Sequence, residues 1–576
     1  GEGVGAFEHP DGSEGSDSSL EIAIIEGNWI INDRSSAYFR FTDFTNETLG
    51  GPDLILDATP SIGASLDINN LDRLGHFSVP TLRDGNDIWN AGAQPLIDRY
   101  GYIENGVPQG GGVVGAATQF NEQNFYRESF EIGYDLSLNW GSTTHDLHFG
   151  YHMEEIEEFL LRSSNGYGSI SYGGGTLNDD YDEDFNWWFR ALPYQTSLGE
   201  YGVPAIRSYV ETQNIEINDT ISWGDWTFNL GVLFSEDQLF GQGLKVNKSN
   251  LSGFETAIGN KYPMKKISFS DMIQPRLGVT WDFADNWSAF ANYARYYPTA
   301  SSLARAASWD RNLHSTIEMY YDAEGNFILA EERDSSSGKL FQDGIDPRHI
   351  DEYIIGGTWD VNDRLNLRAH YRRREARDMW EDTWNWALET YACTNEPDRF
   401  GCMPEGWAPE EPYIPELNDY RDEIGGSSFV IAQVPRAYTD YDEVSIEAEW
   451  QGDRWYVMGS YTWSKYRGNF DQDNATYSND FNTFIGSSLI SDGRGRMLWN
   501  MKDGKLRGDR PNLFKLYGYY ELSWNAVVGA YTVYQSGQPW ETWDGSLYGY
   551  SCSTIRYAEK AGSRRTSSHY QLDLNY

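Results

Sequence analysis

Residues 441–468 read YDEVSIEAEWQGDRWYVMGSYTWSKYRG, and this stretch decides the fold. Val444, Ile446, Ala448 and Trp450 alternate with Ser445, Glu447, Glu449 and Gln451. Gly452-Asp453 then supplies a turn, after which Trp455, Val457, Gly459, Tyr461 and Trp463 alternate with mostly polar or small neighbours. Successive side chains of a strand point to opposite faces, so each run has one apolar, aromatic-capped face and one polar face. Two such runs across a short Gly-containing turn read as an antiparallel hairpin. A strand lying between lipid and a watery lumen has this pattern. A soluble sandwich alternates too, so the decision rests on how often the unit recurs.

It recurs along the chain. Phe130, Ile132, Tyr134, Leu136, Leu138 and Trp140 oppose Glu131, Gly133, Asp135, Ser137 and Asn139. After a turn, Leu147, Phe149, Tyr151 and Met153 return with His148 and His152 on the other face. No further ligand pattern accompanies those histidines, so they read as lumen-facing polar residues rather than a metal site. Comparable hairpins centre on 224–225, 284–286 and 362–363, a last one on about 524, and residues 21–31 and 36–45 are two earlier candidate strands. The alternation predicts roughly 15 strands in all. Short turns alternate with long connections near 47–125, 162–207, 298–349, 380–438 and 469–509. Independent soluble hairpins have no reason to segregate connection lengths; an outer-membrane barrel does. The reading is therefore all-β: a transmembrane antiparallel outer-membrane β-barrel, with residues 1–576 as its barrel domain and the long connections as extracellular loops. Apolar alternates such as Phe130, Trp455 and Tyr461 face lipid; Glu131, Asp135, Glu447 and Glu449 face inward.

Composition agrees. Aromatic residues make up 15% of the 576, with 39 Tyr and 22 Trp, as aromatic girdles at two membrane interfaces require. Mean hydropathy is −0.61, and no apolar run of about 18 residues exists, so no membrane-spanning helix is expected. A net charge of −43 lacks the basic footprint of nucleic-acid binding, so no nucleic-acid partner is expected. It fits acidic loops and a polar lumen.

The candidate functional residues lie in the long connections. Trp187, Trp188, Trp380, Trp384 and Trp386 stand beside acids, where aromatics stack on sugars or peptides, or pack loops together. Asp180, Asp182 and Asp184 have the DxDxD spacing of a calcium loop but lack its glycine and terminal glutamate, so a solvated acidic loop reads better and no cofactor is expected. Gly110, Gly112 and Gly115 match GxGxxG in a connection read as mostly irregular, with no strand before and no clear helix after, so a nucleotide site is not expected. Cys393 and Cys402 bracket the turn-rich CTNEPDRFGC, which reads as a loop disulfide in an oxidising compartment or as two free thiols; Cys552 has no evident partner. No HExxH, GxSxG or GxxxxGK[ST] occurs, and an enzyme is not expected.

Segments QPRLGVTWDF (274–283), DEYIIGGTWD (351–360), GSYTWSKYRGN (459–469), GDRPNLFKLYGYYEL (508–522) and YQSGQPW (534–540) resemble, in order and spacing, the barrel of TonB-dependent outer-membrane receptors. DLHFGYH (146–152) and LLRSSNG (160–166) are similar to the Oar-like branch of that family. The resemblance covers most of residues 20–576. It implies a 22-stranded barrel in the bacterial outer membrane, filled by an N-terminal plug and driven by the TonB complex to move a bulky substrate. From GEGVGAF onward the sequence offers no recognisable plug or TonB box, and the family's last strands are not found, so it reads as a barrel fragment. A passive porin or a surface-binding adhesin barrel is the alternative.

Overall fold

The computed structural model describes residues 14–175, 186–193, 206–241, 244–246, 254–256, 261–298, 316–333, 338–341, 344–384, 428–433, 437–470, 501, 503–544 and 556–576. Its main feature is one antiparallel wall. The strands, in order, are β1 (Glu14–Asn32), β2 (Ser35–Pro52), β3 (Gln119–Trp140), β4 (Thr143–Ser164) and β5 (Ile206–Trp223). They continue as β6 (Trp226–Gly241), β7 (Ile273–Ala284), β8 (Trp287–Tyr296), β9 (His349–Asn362) and β10 (Leu365–Arg377). The last are β11 (Thr439–Gln451), β12 (Trp455–Gly468), β13 (Asn512–Glu521), β14 (Val527–Gln535) and β15 (His569–Asn575). Each pairs with its neighbour in sequence, and two short rim strands, Tyr262–Ile267 and Gly504–Lys505, complete the sheet. Among the described residues, β1 and β15 each pair along one side only.

Register makes two chemically distinct faces. Phe39, Phe130, Ile132, Leu138, Ile217, Leu277, Ile355, Ile446 and Tyr461 are exposed on the outer face, with Ile355 at 61%. The other face carries polar side chains joined across strands. Tyr38 donates to Glu131 at 2.8 Å, and His148 lies 2.8 Å from Asp135 and 3.2 Å from Glu216. An apolar side chain left in water loses about 1.5–3 kcal/mol relative to burial, so a whole face of them needs lipid. At the short-turn ends, tryptophans pair across neighbours: Trp226 stacks on Trp281 at 4.9 Å and Trp287 on Trp359 at 4.6 Å. The turns are tight; Gly141 and Gly224 hold φ of +64° and +58°, which glycine adopts freely.

The long-connection end departs from expectation. The stretch 47–125, read as irregular, contains the helix α1 (Asp87–Tyr100) and short strands at His76–Ser78 and Val113–Val114. Asn86 caps α1, its side chain accepting from Trp89 N, and Trp89, Ala93, Leu96, Ile97 and Tyr100 form its buried stripe. That spacing is helical and was present in the sequence. Ser169–Gly175, Asn186–Leu192, Thr316–Asp322 and Phe327–Arg333 come from two further connections. With the two short strands they make a six-stranded sheet ordered 327–333, 316–322, 186–192, 169–175, 76–78 and 113–114. One core unites them: Leu71, Phe77, Trp89, Ile170, Phe189, Ile317, Met319 and Tyr321 are buried together.

Candidate functional site

The site is the polar inner face and the folded cap at its long-connection end. On the inner face near the cap, His370 lies 2.9 Å from Glu443, and Arg372 reaches both Glu443 at 3.2 Å and Glu352 at 3.5 Å. Arg374 also pairs with Glu352. Glu352, Glu443 and Ser445 are buried there, and each carboxylate has its cation. On the same face, Thr212 donates to Asp237 at 2.8 Å near the rim, and Tyr456 donates to Glu449 at 2.9 Å near the short turn. The lumen surface is therefore hydrogen-bonded and cross-braced rather than apolar. A polar solute sliding past it meets carboxylates, guanidinium groups and phenols instead of a greasy wall.

The cap is anchored by one side chain. Asn165, 1% exposed, donates to the carbonyls of Leu54 at 2.8 Å and Ala117 at 3.1 Å, and accepts from Leu56 N at 2.8 Å. It thus ties the start of the connection after β4 to both ends of the connection between β2 and β3. Two of the GxGxxG glycines, Gly110 and Gly115, serve packing. A Cβ at Gly110 would stand 2.0 Å from the Pro80 carbonyl, and at Gly115 (φ +89°) 1.9 Å from that of Gly75. In the core, Phe77 meets Tyr100 edge-on at 5.4 Å and Tyr172 meets Phe189 at 4.8 Å. The Tyr100 hydroxyl donates to Ile68 O at 2.9 Å and accepts from Leu71 N at 3.1 Å. Burial pushes the Tyr100, Tyr167 and Tyr172 phenols above their ordinary pKa; Tyr320 is raised by burial and then by Glu318.

The sequence candidates fall in different places. Trp188 packs edge-on against Tyr320 at 5.3 Å, on the cap-sheet face that also carries Arg190 and Glu318. Trp187 is on the same strand. Trp380 is not on a loop surface: it is 3% exposed, donates to Asp346 O at 2.6 Å and meets Phe341 at 6.1 Å. It belongs to a second core with Val210, Leu239, Ile267 and Met272, which plugs the angle between the wall and the strand Trp380–Trp384. Trp384 ends that strand. Asp180, Asp182, Asp184, Trp386, Cys393, Cys402 and Cys552 lie outside the described residues. Sequence reasoning missed Asn165 and the Arg372–Glu352–Glu443 brace, because neither follows from alternation; both need the register between distant strands.

A meandering wall with an apolar exterior, a polar interior, tryptophan-lined turns and a folded cap has the fold of an outer-membrane β-barrel chain. The TonB-dependent transporter Oar of Myxococcus xanthus is 23% identical over 392 residues, covering 61% of this chain and 32% of that protein. The outer-membrane transporter YddB of Escherichia coli has the same fold with a TM-score of 0.50 at 12% identity, over 97% of this chain and 62% of that one. The ferric-catecholate import receptor Fiu of E. coli matches at TM-score 0.46 and 13% identity, over 99% of this chain and 58% of that one. No protein-family model matches. The chain spans 32% of the curated relative's length and 62% of the first of these structures. The matched proteins are transporters and receptors of the outer membrane, not enzymes.

Proposed function

We propose that this chain is the wall and cap of a TonB-dependent transporter that moves a bulky substrate across the bacterial outer membrane. The observation that carries the reading is the braced polar inner face joined, at its long-loop end, to a cap with its own core. If a wall of this many strands closes, the space inside is wide; barrels of about 16–18 strands leave an aqueous channel, and those of about 22 carry a plug. A folded cap at the long-loop end supports selective passage over free diffusion, which sets this reading above the passive porin. The energy would come from the inner-membrane TonB complex through a plug in the complete protein. The test is a strain deleted for the complete gene, complemented in the presence or absence of functional TonB, with extracellular and periplasmic contents compared by mass spectrometry. A solute or protein should change compartment on deletion and be restored only with TonB. Restoration that ignores both TonB and an uncoupler would favour the porin; no change in either compartment would favour an adhesin. The direction of the change separates import from export.

A further inference from the structure

Strand β10 turns an unbroken row of cations inward. Moving away from its short turn, the inner-face positions after Asn366 are Arg368, His370, Arg372 and Arg374, every second residue of the strand. The row spans about 20 Å along the strand. Arg276 of β7 joins it towards the rim, because Arg276, Ala294, Glu352 and Arg374 share one cross-strand row. Strands β3–β6 have the opposite character. They turn carboxylates inward, among them Glu131, Asp135, Glu216 and Asp237, as a chain of net charge −43 leads one to expect.

The carboxylates paired with this row are too few to neutralise it. Glu352 serves both Arg372, at 3.5 Å, and Arg374, and also accepts from the Tyr296 hydroxyl at 3.3 Å. Glu443 serves His370 at 2.9 Å and Arg372 at 3.2 Å. Arg276 and Arg368 are exposed and make no ion pair among the described residues. Each is held over a ring instead: Arg276 at 5.7 Å from the Tyr296 centroid and Arg368 at 5.2 Å from that of Phe290. Glu447 is the cross-strand neighbour of Arg368, but the guanidinium reaches the other way, across β9 to Phe290 of β8. Phe290 in turn lies against Gly356, where a Cβ would stand 2.6 Å from its ring. Stacking orders a guanidinium and leaves its N–H edge free for an acceptor. Arg372 Nε, although 3.5 Å from Glu352, and His370 Nδ1 are buried without a hydrogen bond among the described residues. The row is therefore ordered, carries surplus positive charge and has donors to spare.

We propose that this row is a binding track for the anionic groups, carboxylate or phosphate, of the transported solute, with Arg276 and Arg368 making the direct contacts. The proposal rests on the transport reading and narrows its substrate to a solute that bears such groups. A guanidinium presents paired N–H groups that match two oxygens of either anion. Arg372 and Arg374, tied to Glu352 and Glu443, keep positive charge continuous between the two contact points. Because those points stand three inward positions of β10 apart in height, an extended solute with several anionic groups engages both. The carboxylates of β3–β6 repel the same groups elsewhere on the inner face, so selectivity comes from repulsion as well as attraction.

The test is calorimetry on the complete protein in mild detergent. The probes are an oligoglutamate of about ten residues, long enough to span the row, and a polyphosphate of similar length, with an oligolysine for comparison. A heat-modifiable gel shift confirms folding of each variant. At least one anionic probe should bind, and the preferred one tells carboxylate from phosphate. Arg276→Gln and Arg368→Gln should each weaken it about tenfold, the order expected for one charge-assisted hydrogen bond. Arg368→Lys, which keeps the charge but not the paired N–H edge, should fall between. Lys515→Gln removes a cation from the inner face of β13, away from the row, and should leave the affinity nearly unchanged. Binding needs neither TonB nor an energised membrane, so failure here and failure of the transport test are distinct results. No binding of either anionic probe, stronger binding of oligolysine, or equal affinity in folded wild type and the Arg276→Gln, Arg368→Gln double variant would overturn the proposal. An equal loss in Lys515→Gln would reduce the effect to net charge and overturn it too.

Discussion

At the residue scale, the cap depends on a few side chains whose surroundings leave no alternative. Trp89 is 2% exposed, donates to Thr81 O at 2.6 Å and carries the Arg83 guanidinium 3.6 Å over its ring. Trp89→Ala should cost the cap about 3–5 kcal/mol, since the space cannot collapse between α1 and Tyr172. Hydrogen exchange of residues 87–100 should accelerate accordingly, while exchange in β9–β12 stays unchanged; uniform acceleration would mean that cap and wall unfold together. Gly115→Ala brings both a left-handed backbone and a Cβ against the Gly75 carbonyl, and should cost more than about 1 kcal/mol on the same readout. The phenols add a pH dependence. Tyr100, Tyr167, Tyr172 and Tyr320 keep their protons longer folded than unfolded. Their contribution is therefore complete below the ordinary tyrosine pKa of about 10 and is lost as pH rises beyond it. Exchange in the cap should quicken above that pH before exchange in the wall does; a wall that loosens first would contradict the assignment.

At the element scale, facing is the property that alternation fixes. Ile355 sits mid-band on the outer face, and Asn366 on the inner face is paired across from Glu449. Ile355→Arg should cost about 2–4 kcal/mol, whereas Asn366→Arg should stay within about 0.5 kcal/mol. Denaturant titration in lipid vesicles separates the two; equal costs would remove the lipid-facing assignment. The wall was legible in the sequence for the same reason that this test is sharp. A strand with lipid on one side and polar lumen on the other must alternate, so period, turn residues and even the number of long strands could be read from 441–468 and its repeats. The cap was not legible, because its strands are short and pair with partners from distant connections. His76–Ser78, for example, pairs in parallel with Ser169–Ser171, and three residues carry no period. The helix α1 was the readable exception, overlooked amid Gly, Asn and Asp. For Trp380 the sequence left ligand stacking and loop packing open; here its indole N–H satisfies the Asp346 carbonyl and its ring packs in a core.

At the scale of the whole molecule, the question is whether the cap moves as separate loops or as one body. Its sheet joins three connections: 316–322 pairs with 186–192, 186–192 with 169–175 of the same connection, and 169–175 with 76–78. Each connection supplies one layer of a shared core and none can bury its apolar face alone. Two-stranded pieces of this length are marginal in water. Cooperative behaviour follows: removing one connection should release the others. Replacing 316–333 by a short Gly-Ser linker exposes the edge of 186–192 and uncovers Phe77 and Phe189, which pack with Ile317, Met319 and Tyr321. The expected outcome in the complete, membrane-inserted protein is loss of exchange protection in 87–100 and 169–175, although neither segment has been altered. Strands β9–β12, braced by their own ladders and ion pairs, should keep theirs. If 87–100 retained full protection, the cap would be a set of independent loops, and any opening of the lumen could then proceed one loop at a time. If protection is lost throughout, the cap opens as a unit, tied to the wall where Asn165 joins the three connection ends.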